Sequence, residues 1–139
     1  MIILDTNVVS ELMKQSPARA VAGWSLSQDA RDLFTTSVTL AEIRYGIERL
    51  SDGQHKAQLR AKSADIFFAL ADKVLSFDAR AALRYATLVT DRDRAGQPIA
   101  GFDAQIAAIC RTYNAALATR NLKDFRHTGV DLINPWQET

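Results

Sequence analysis

The chain opens with the stretch Met1-Ile2-Ile3-Leu4-Asp5-Thr6-Asn7, a short apolar run that leads directly into a carboxylate and a turn. An uncharged apolar run of this kind is typical of a buried strand in a parallel sheet. Open α/β sheets bind their ligands beyond the carboxyl ends of the strands. We therefore expect Asp5 to lie on the floor of a site and to have partners elsewhere in the chain.

The composition is that of an ordinary globular protein of 139 residues, with 47% hydrophobic and 24% charged residues. We expect residues 1–139 to form one domain with its own hydrophobic core. The net charge of +1 argues neither for nor against a nucleic-acid partner. The single cysteine, Cys110, cannot form an intrachain disulfide, so a reducing cytoplasm fits best. No segment approaches the ~20 apolar residues that span a bilayer.

Strand and helix patterns alternate along the chain. Apolar or β-branched runs predict strands at 2–5, 33–37, 74–77, 115–119 and 130–133. Between them, helical patterns lie at 6–14, 18–28, 40–50, 54–73, 79–95 and 101–113. This alternation predicts an α/β fold in which helices cover both faces of a parallel sheet.

Helix ends and faces can be predicted in more detail at three places. Thr39 followed by Glu42 forms a capping-box pattern. Asp78 is a candidate N-cap of the helix predicted at 79–95. The apolar spacing predicts that the inward face of this helix carries Ala79, Ala82, Leu83, Ala86 and Val89. Glu11 and Arg92 are interpreted as solvated surface residues.

Four acidic residues fall at the ends of these elements. Asp5 ends the first strand, and Glu42 lies in the first turn of the helix after the second strand. Asp103 opens the helix at 101–113, and Asp124 follows the strand at 115–119. Because the carboxyl ends of parallel strands share one edge of the sheet, we expect these acids to converge there. Taken one at a time, each also has an ordinary role, as a helix cap or a solvated acid.

Carboxylates gathered at one edge repel one another and stay ionised together only if a cation lies among them. Asp103 adds a second indication, because it lies on the apolar stripe of its helix with Ile106, Ala107 and Cys110. A carboxylate there costs several kcal/mol unless it is compensated. Hard oxygen ligands without a neighbouring His or Cys favour Mg²⁺ or Mn²⁺ over Zn²⁺. Such an ion typically serves phosphoryl chemistry, by activating water and neutralising charge on phosphorus oxygens.

The acids lie in four segments: Ile3-Leu4-Asp5-Thr6-Asn7-Val8, Ser37-Val38-Thr39-Leu40-Ala41-Glu42-Ile43-Arg44-Tyr45-Gly46, Phe102-Asp103-Ala104-Gln105-Ile106-Ala107-Ala108 and Ala118-Thr119-Arg120-Asn121-Leu122-Lys123-Asp124-Phe125. In this order and spacing they resemble the four acidic motifs of the PIN domain family, and more narrowly the VapC/FitB-type toxins of type II toxin–antitoxin modules. Asn134-Pro135-Trp136 is similar to the same subgroup. The resemblance implies a three-layer α/β/α fold with about five parallel strands and a Mg²⁺-dependent endoribonuclease in which Mn²⁺ can substitute. It also implies an RNA substrate, a homodimer and inhibition by a small antitoxin protein.

The resemblance also implies roles for individual residues. Asp5, Glu42 and Asp103 match the family's metal-binding and catalytic acids. Many members carry an aspartate directly after Thr-Arg, but here that residue is Asn121. We therefore expect Asp124 to be the fourth catalytic acid, either reaching back or acting through water, with Asn121 as the alternative. Asn7, Thr119 and Asn121 are expected to support the acids, and Arg120 and Lys123 are candidates to contact RNA phosphates.

An inhibitory partner has a predicted place on this chain. A basic side chain of the antitoxin would complement the acidic site, and the helices near 8–13 and 43–50 carry the apolar residues expected to form its docking groove.

Other functions remain open from the sequence. A phosphohydrolase of the HAD type also begins with an apolar strand and an aspartate, but it needs a second acid two residues later, where this chain has Asn7. A receiver-like module normally has paired acids at the first strand and a lysine at the last, and neither is present. The third alternative is a catalytically degenerate PIN-like module that binds a partner without cleaving, which Asn121 keeps open.

Overall fold

A central parallel sheet organises the computed structural model, which describes residues 1–137. Its five strands are β1 (Ile2–Leu4), β2 (Leu33–Thr36), β3 (Val74–Leu75), β4 (Ala116–Ala118) and β5 (Leu132–Ile133). The strands lie in the order β3-β2-β1-β4-β5, and every neighbouring pair is parallel. The predicted parallel sheet of about five strands is confirmed.

The helices fill the connections between the strands. They are α1 (Thr6–Leu12), α2 (Arg19–Ser27), α3 (Ser37–Glu48), α4 (Gln54–Leu70), α5 (Ala79–Arg94), α6 (Gly101–Tyr113) and α7 (Leu122–Phe125). Short 3₁₀ turns at Ala30–Asp32 and Ala71–Lys73 precede β2 and β3. Within residues 1–137, no helix combines the length and the apolar character needed to cross a membrane.

Two apolar clusters form the core, one on each face of the sheet. Because neighbouring side chains of a strand point to opposite faces, Ile3 packs in a cluster with residues of α5 and α6, and Leu4 packs in the other cluster with residues of α1 and α3. Leu117 and Ala118 of β4 divide in the same way. This is the predicted three-layer α/β/α arrangement.

The strand order reverses beside β1. The chain leaves β1 for β2 and β3 on one side, and later places β4 and β5 on the other side. Connections that follow β1 and β4 therefore diverge, which opens a crevice at the carboxyl ends of these two strands. Asp5 and Thr119 are the residues that directly follow β1 and β4, so they face each other across that crevice.

The capping-box prediction for α3 is wrong. The helix begins three residues earlier than predicted, at Ser37, and its N-cap is Thr36, whose hydroxyl accepts from the backbone N–H of Thr39 at 3.1 Å. Glu42 consequently lies in the second turn, where its carboxylate is not used to cap the helix. Both threonines suit an N-cap, and the sheet decides between them by ending β2 at Thr36.

Helix α5 turns a different face to the core than its apolar spacing predicts. The side chains of Ala81, Leu88 and Arg92 are buried, whereas Leu83 is 76% exposed. Its predicted N-cap is confirmed, since the carboxylate of Asp78 accepts from the N–H of Ala81 at 3.0 Å. An alanine-rich helix gives little contrast between its faces, so its orientation follows from the few large side chains that pack.

Candidate functional site

Asp5 is almost completely buried at the carboxyl end of β1, with 3% of its surface exposed. One carboxylate oxygen accepts from the N–H of Thr6 at 2.8 Å, so Asp5 also serves as the N-cap of α1. The other oxygen accepts from the hydroxyl of Thr119 at 2.7 Å and from the amide of Asn7 at 3.3 Å. Burial raises the pKa of Asp5, and the bonds from Thr119 and Thr6 lower it again in part.

Asn7 ties together the loops that follow β1 and β4. Its amide nitrogen donates to Thr119 Oγ1 at 3.3 Å as well as to Asp5. Its amide oxygen accepts from the backbone N–H of Arg120 at 3.2 Å. The N–H of Asn121 donates to Thr119 Oγ1 at 3.0 Å. The supporting positions predicted for Asn7 and Thr119 therefore lie in direct contact with Asp5, while Asn121 reaches it through Thr119.

Glu42 is held by a residue that the sequence analysis did not single out. The hydroxyl of Thr6 donates to Glu42 Oε1 at 2.7 Å and lies 3.2 Å from the hydroxyl of Thr39. Since a hydroxyl has one proton, Thr6 donates that proton in the hydrogen bond to Glu42 and accepts a hydrogen bond from Thr39. The first turn of α1 thus positions the acid of α3. Thr6 follows the acid of the first motif directly, but its contact lies 36 residues away and leaves no local signal.

Asp103 lies half-buried in the first turn of α6, above the fully buried side chains of Ile106, Ala107 and Cys110. Burial raises the pKa of the Asp103 carboxyl to about 6, and the negative charges of Asp5, Asp124 and Glu42 contribute to the rise. Burial of the Cys110 thiol raises its pKa as well, which keeps this side chain protonated and inert.

Asp124 occupies a different place from the other three acids. It is exposed on the short helix α7, which the sequence analysis did not predict. It lies with Asp103 on a small cavity of about 130 Å³ next to the main cleft. Asn121, at the start of the same helix, lines the main cleft itself.

The main cleft has a volume of about 450 Å³ and brings together three of the predicted acids. Its lining is Asp5, Thr6, Asn7, Ser10, Glu11, Lys14, Glu42, Asp103, Arg120, Asn121 and Trp136. Among the predicted phosphate contacts, Arg120 lines this cleft, whereas Lys123 lies on α7 and does not. Lys14 and Ser10 are additions that the sequence analysis did not single out.

Glu11 and Arg92 are buried, so their interpretation as solvated residues is wrong. Glu11 accepts from Lys14 Nζ and from the backbone N–H of Ala18, both at 2.9 Å, and these bonds lower the pKa of its carboxyl. Arg92 donates to the backbone carbonyls of Gln97, Asp124 and Arg126. Each side chain is buried because it satisfies backbone groups of a neighbouring loop, which hydrophobic periodicity does not reveal.

A divalent cation fits the cleft by the chemistry of its donors. Asp5, Glu42 and Asp103 face the same space. Repulsion from Glu42 adds to the raised pKa of Asp5, and repulsion from Asp5 and Glu42 adds to that of Asp103. A cation would remove that repulsion, and carboxylate oxygens are ligands that Mg²⁺ and Mn²⁺ prefer. Among residues 1–137, however, no three His, Cys, Asp or Glu side chains are arranged to hold one ion together. The donors therefore fit the cation, while their arrangement leaves its coordination undefined.

An apolar groove opens beside the acidic cleft. It has a volume of about 280 Å³ and runs between α1, α3 and α4, where Met13, Ile43, Ile47 and Leu59 line it. Thr6, Ser10, Lys14 and Glu42 belong to both the groove and the cleft, so the two form one continuous surface. The groove lies at the two helices where the sequence predicts a docking surface.

The family model of the PIN domain matches residues 2–130 of this chain. The VapC ribonuclease Y4jK of Sinorhizobium fredii is 37% identical over 138 residues, which is 99% of each chain. The toxin FitB of Neisseria gonorrhoeae is 33% identical over 99% of this chain and 100% of its own length. A solved structure of FitAB bound to an IR36 DNA fragment has a TM-score of 0.94 at 33% identity, covering 100% of this chain and 98% of the other. The chain therefore belongs to the PIN domain family, in the group that includes VapC ribonucleases and FitB.

Proposed function

We propose that this chain is a metal-dependent endoribonuclease, that it acts as the toxin of a toxin–antitoxin module, and that the acidic cleft is its active site. The observation that carries the proposal is the buried carboxylate of Asp5 at the reversal of strand order, sharing one cleft with Glu42 and Asp103. The 37% identity to a VapC ribonuclease supports the reaction type, and the 33% identity to FitB supports the role as a toxin. A cytoplasmic location and a single domain over residues 1–139 are part of the same proposal.

The metal is Mg²⁺, with Mn²⁺ as a substitute, and PIN-domain nucleases generally use a divalent metal. Asp5 and Asp103 would hold the ion, and Glu42 would either ligate it or orient a water molecule. When bound, the ion activates water and neutralises charge that develops on the phosphorus oxygens. Thr119 and Asn7 hold Asp5 in place through their hydrogen bonds, and Thr6 does the same for Glu42.

Two residues are candidates for the fourth position of the site. They are Asp124 on α7 and Asn121, the N-cap of that helix. Asp124 acts on the site at longer range, because it is exposed and lies beside Asp103 on the neighbouring cavity. Asn121 is the alternative, since it lines the cleft and its N–H donates to Thr119. Arg120 and Lys123 contact RNA phosphates, Arg120 from the lining of the cleft and Lys123 from α7 outside it.

Replacing single acids tests this assignment. We expect Asp5→Asn or Asp103→Asn to slow RNA cleavage by roughly 10²–10³-fold, the usual effect of losing one central electrostatic contact. Asp124→Asn should cost less, because the side chain is exposed and does not line the cleft that Asp5, Glu42 and Asp103 share. Cleavage rates are measured with Mg²⁺, with Mn²⁺ and with EDTA.

Three outcomes contradict the assignment. These are full cleavage in a chelated buffer, cleavage by Asp103→Asn at the wild-type rate, and a larger loss in Asp124→Asn than in Asp5→Asn. A protein that cuts no RNA under any condition, although it is folded and blocks growth through a partner, favours the degenerate binding module instead.

The apolar groove is the proposed docking site of the antitoxin. FitB is solved in the complex FitAB, so a relative at 33% identity has a protein partner. In this chain the groove leads directly to Glu42 and the acidic cleft. An amphipathic helix of the antitoxin would bury its apolar face in the groove, and a basic side chain at its end would enter the cleft and pair with the acids.

A further inference from the structure

Arg120 and Trp136 form a cation–π pair at the rim of the acidic cleft. The guanidinium carbon of Arg120 lies 4.9 Å from the centroid of the indole ring, within the range of a cation–π contact. Both side chains line the same cleft as Asp5, Glu42 and Asp103. The guanidinium carbon lies over the indole ring, and Arg120 is exposed while Trp136 is half-buried.

The pair is held at a fixed position relative to the acids. The backbone N–H of Arg120 donates to the amide of Asn7 at 3.2 Å, and the same amide donates to Asp5. On the other side, the backbone N–H of Trp136 donates to Asn134 Oδ1 at 3.0 Å. The indole packs against the apolar cluster that includes residues of α1 and α3. These contacts fix the backbone of Arg120 and the indole of Trp136 beside the acids, and the guanidinium is placed by its contact with the indole.

Planar groups of this kind bind nucleic-acid bases. Aromatic rings and arginine guanidinium planes both stack on unpaired bases, and every base has a face to offer. The guanidinium also keeps its edge N–H groups free for a phosphate when its face is occupied. The location beside the acids would place a stacked base next to the phosphate that enters the cleft.

We propose that Trp136 and Arg120 are a stacking platform that takes one unpaired base of the RNA adjacent to the scissile phosphate. The inference rests on the ribonuclease function proposed above and adds a binding subsite to it. The platform positions the strand, and it takes no part in proton transfer or metal binding.

The probe for this subsite is a short oligouridylate, compared with an abasic ribose-phosphate oligomer of the same length. Binding is measured in EDTA, so that affinity is read without cleavage, and the RNA is checked afterwards for integrity. The wild-type protein should bind the oligouridylate more tightly by roughly 5- to 150-fold, the effect of one stacked base. Trp136→Leu should remove most of this ratio, and Arg120→Lys, which keeps the charge but loses the plane, should reduce it.

Trp24 supplies the matched control, because it is the second of the two tryptophans, is also half-buried and does not line the cleft. Trp24→Leu should leave the ratio unchanged. In Trp24→Phe, the remaining tryptophan fluorescence comes from Trp136. It should be quenched by the oligouridylate but not by the abasic oligomer. Trp136→Phe, which keeps an aromatic face, should retain part of the ratio even if Trp136→Leu lowers the melting temperature. In cleavage assays, Trp136→Phe should change KM more than kcat.

Equal binding of both oligomers by a wild-type protein that still cleaves RNA would overturn the platform and leave the ribonuclease function standing. The platform is overturned in the same way if Trp136→Leu and Trp24→Leu alter the ratio equally. A wild-type protein that neither binds nor cleaves RNA would overturn the ribonuclease function itself.

Discussion

At the scale of single residues, Asp5 and Glu42 lie in the cleft as buried or half-buried acids, and a threonine hydroxyl donates a hydrogen bond to each. Asp5 accepts from Thr119, and Glu42 accepts from Thr6. The sequence predicts where Asp5 lies, because an apolar strand followed by an acid is a local pattern. It does not predict the threonine that holds Glu42, because that contact joins α1 to α3 through the folded structure alone.

The raised pKa of Asp103 makes the stability of the metal-free protein depend on pH. Between the ordinary value of 3.8 and the folded value of about 6, the folded state binds more protons than the unfolded state. The contribution of Asp103 to the free energy of unfolding should therefore fall as the pH rises through this interval. The lowered pKa values of Glu11, Asp29, Glu48 and Asp78 act in the opposite direction, so the contribution of Asp103 is read from the difference between the wild type and a variant. Denaturant titrations in EDTA across the interval measure the slope.

Asp103→Asn should remove this contribution, so that the slope of its unfolding free energy against pH is more positive than that of the wild type. Asp5, whose pKa is raised in the same direction, keeps its own contribution. Asp65→Asn, a change of the same kind at an exposed position of α4, is the control and should keep the full slope. Equal slopes in Asp103→Asn and Asp65→Asn would contradict the prediction.

At the scale of elements, Arg92 joins the end of α5 to the segments that carry the last two acids. Its guanidinium donates to the carbonyl of Gln97, in the loop before α6, and to the carbonyls of Asp124 and Arg126 around α7. Arg92 lines a small cavity together with Asp103 and Asp124. Its buried guanidinium therefore helps to position both acids. A sequence that reads Asp-Arg-Asp-Arg gives no reason to single out one arginine for burial.

Arg92→Met should lower the free energy of unfolding by about 1–3 kcal/mol, because three carbonyls lose their donor while the side-chain volume is nearly kept. Arg94→Met is the control, since Arg94 is exposed on the same helix and a surface change usually stays within about 0.5 kcal/mol. Urea unfolding of both variants measures the difference. Equal destabilisation would show that helix α5, rather than the contacts of Arg92, is what the substitution disturbs.

The predicted elements agree with the structure in kind and differ at their ends. Long periodic segments such as α6 are found at the predicted residues, because burial of a continuous apolar stripe fixes them. The four residues of α7 are too few to show a period, so the sequence places Asp124 in a loop. The start of α3 differs from the prediction because Thr36 and Thr39 suit the same role and only the end of β2 distinguishes them.

At the scale of the whole molecule, the alternation of strands and helices predicts a parallel sheet but not the order of its strands. The order β3-β2-β1-β4-β5 fixes the crevice beside β1, and so decides which of the chain's sixteen acids can share a cleft. That information is non-local, so periodicity does not contain it. The positions of the acids at the ends of the predicted elements indicate which of them converge, and the resemblance to the PIN domain family points to the same residues.

We also expect the protein to be a homodimer, chiefly because of its family. Large apolar side chains at Leu26, Phe68 and Leu83 remain at least 76% exposed in the single chain, which a second copy or another partner could cover. Light scattering at micromolar concentration should give twice the chain mass of 15.4 kDa. One species near 15.4 kDa would contradict this expectation.

The apolar groove can be filled without disturbing the chain's own packing. A Cβ atom added at Gly46 meets no other atom within 4 Å, and the same is true at Gly23 on α2. Gly46 lines the groove, whereas Gly23 lies on a separate surface, so the two glycines form a matched pair. Each lies in a helix, where replacing glycine by leucine should raise helix stability by about 0.5–1 kcal/mol.

Gly46→Leu should keep RNA cleavage but lose neutralisation, because the new side chain occupies the space that an antitoxin helix needs. Cells that express Gly46→Leu should stop growing even when the antitoxin, expected from a small reading frame immediately upstream, is co-expressed. Cells with Gly23→Leu should recover growth as the wild type does. Cleavage assays on both purified variants establish that each is an active nuclease, and co-purification with the partner measures binding directly. If both variants bind the partner and are neutralised alike, the antitoxin docks elsewhere; if neither variant nor the wild type slows growth, the toxin function fails before the groove is tested.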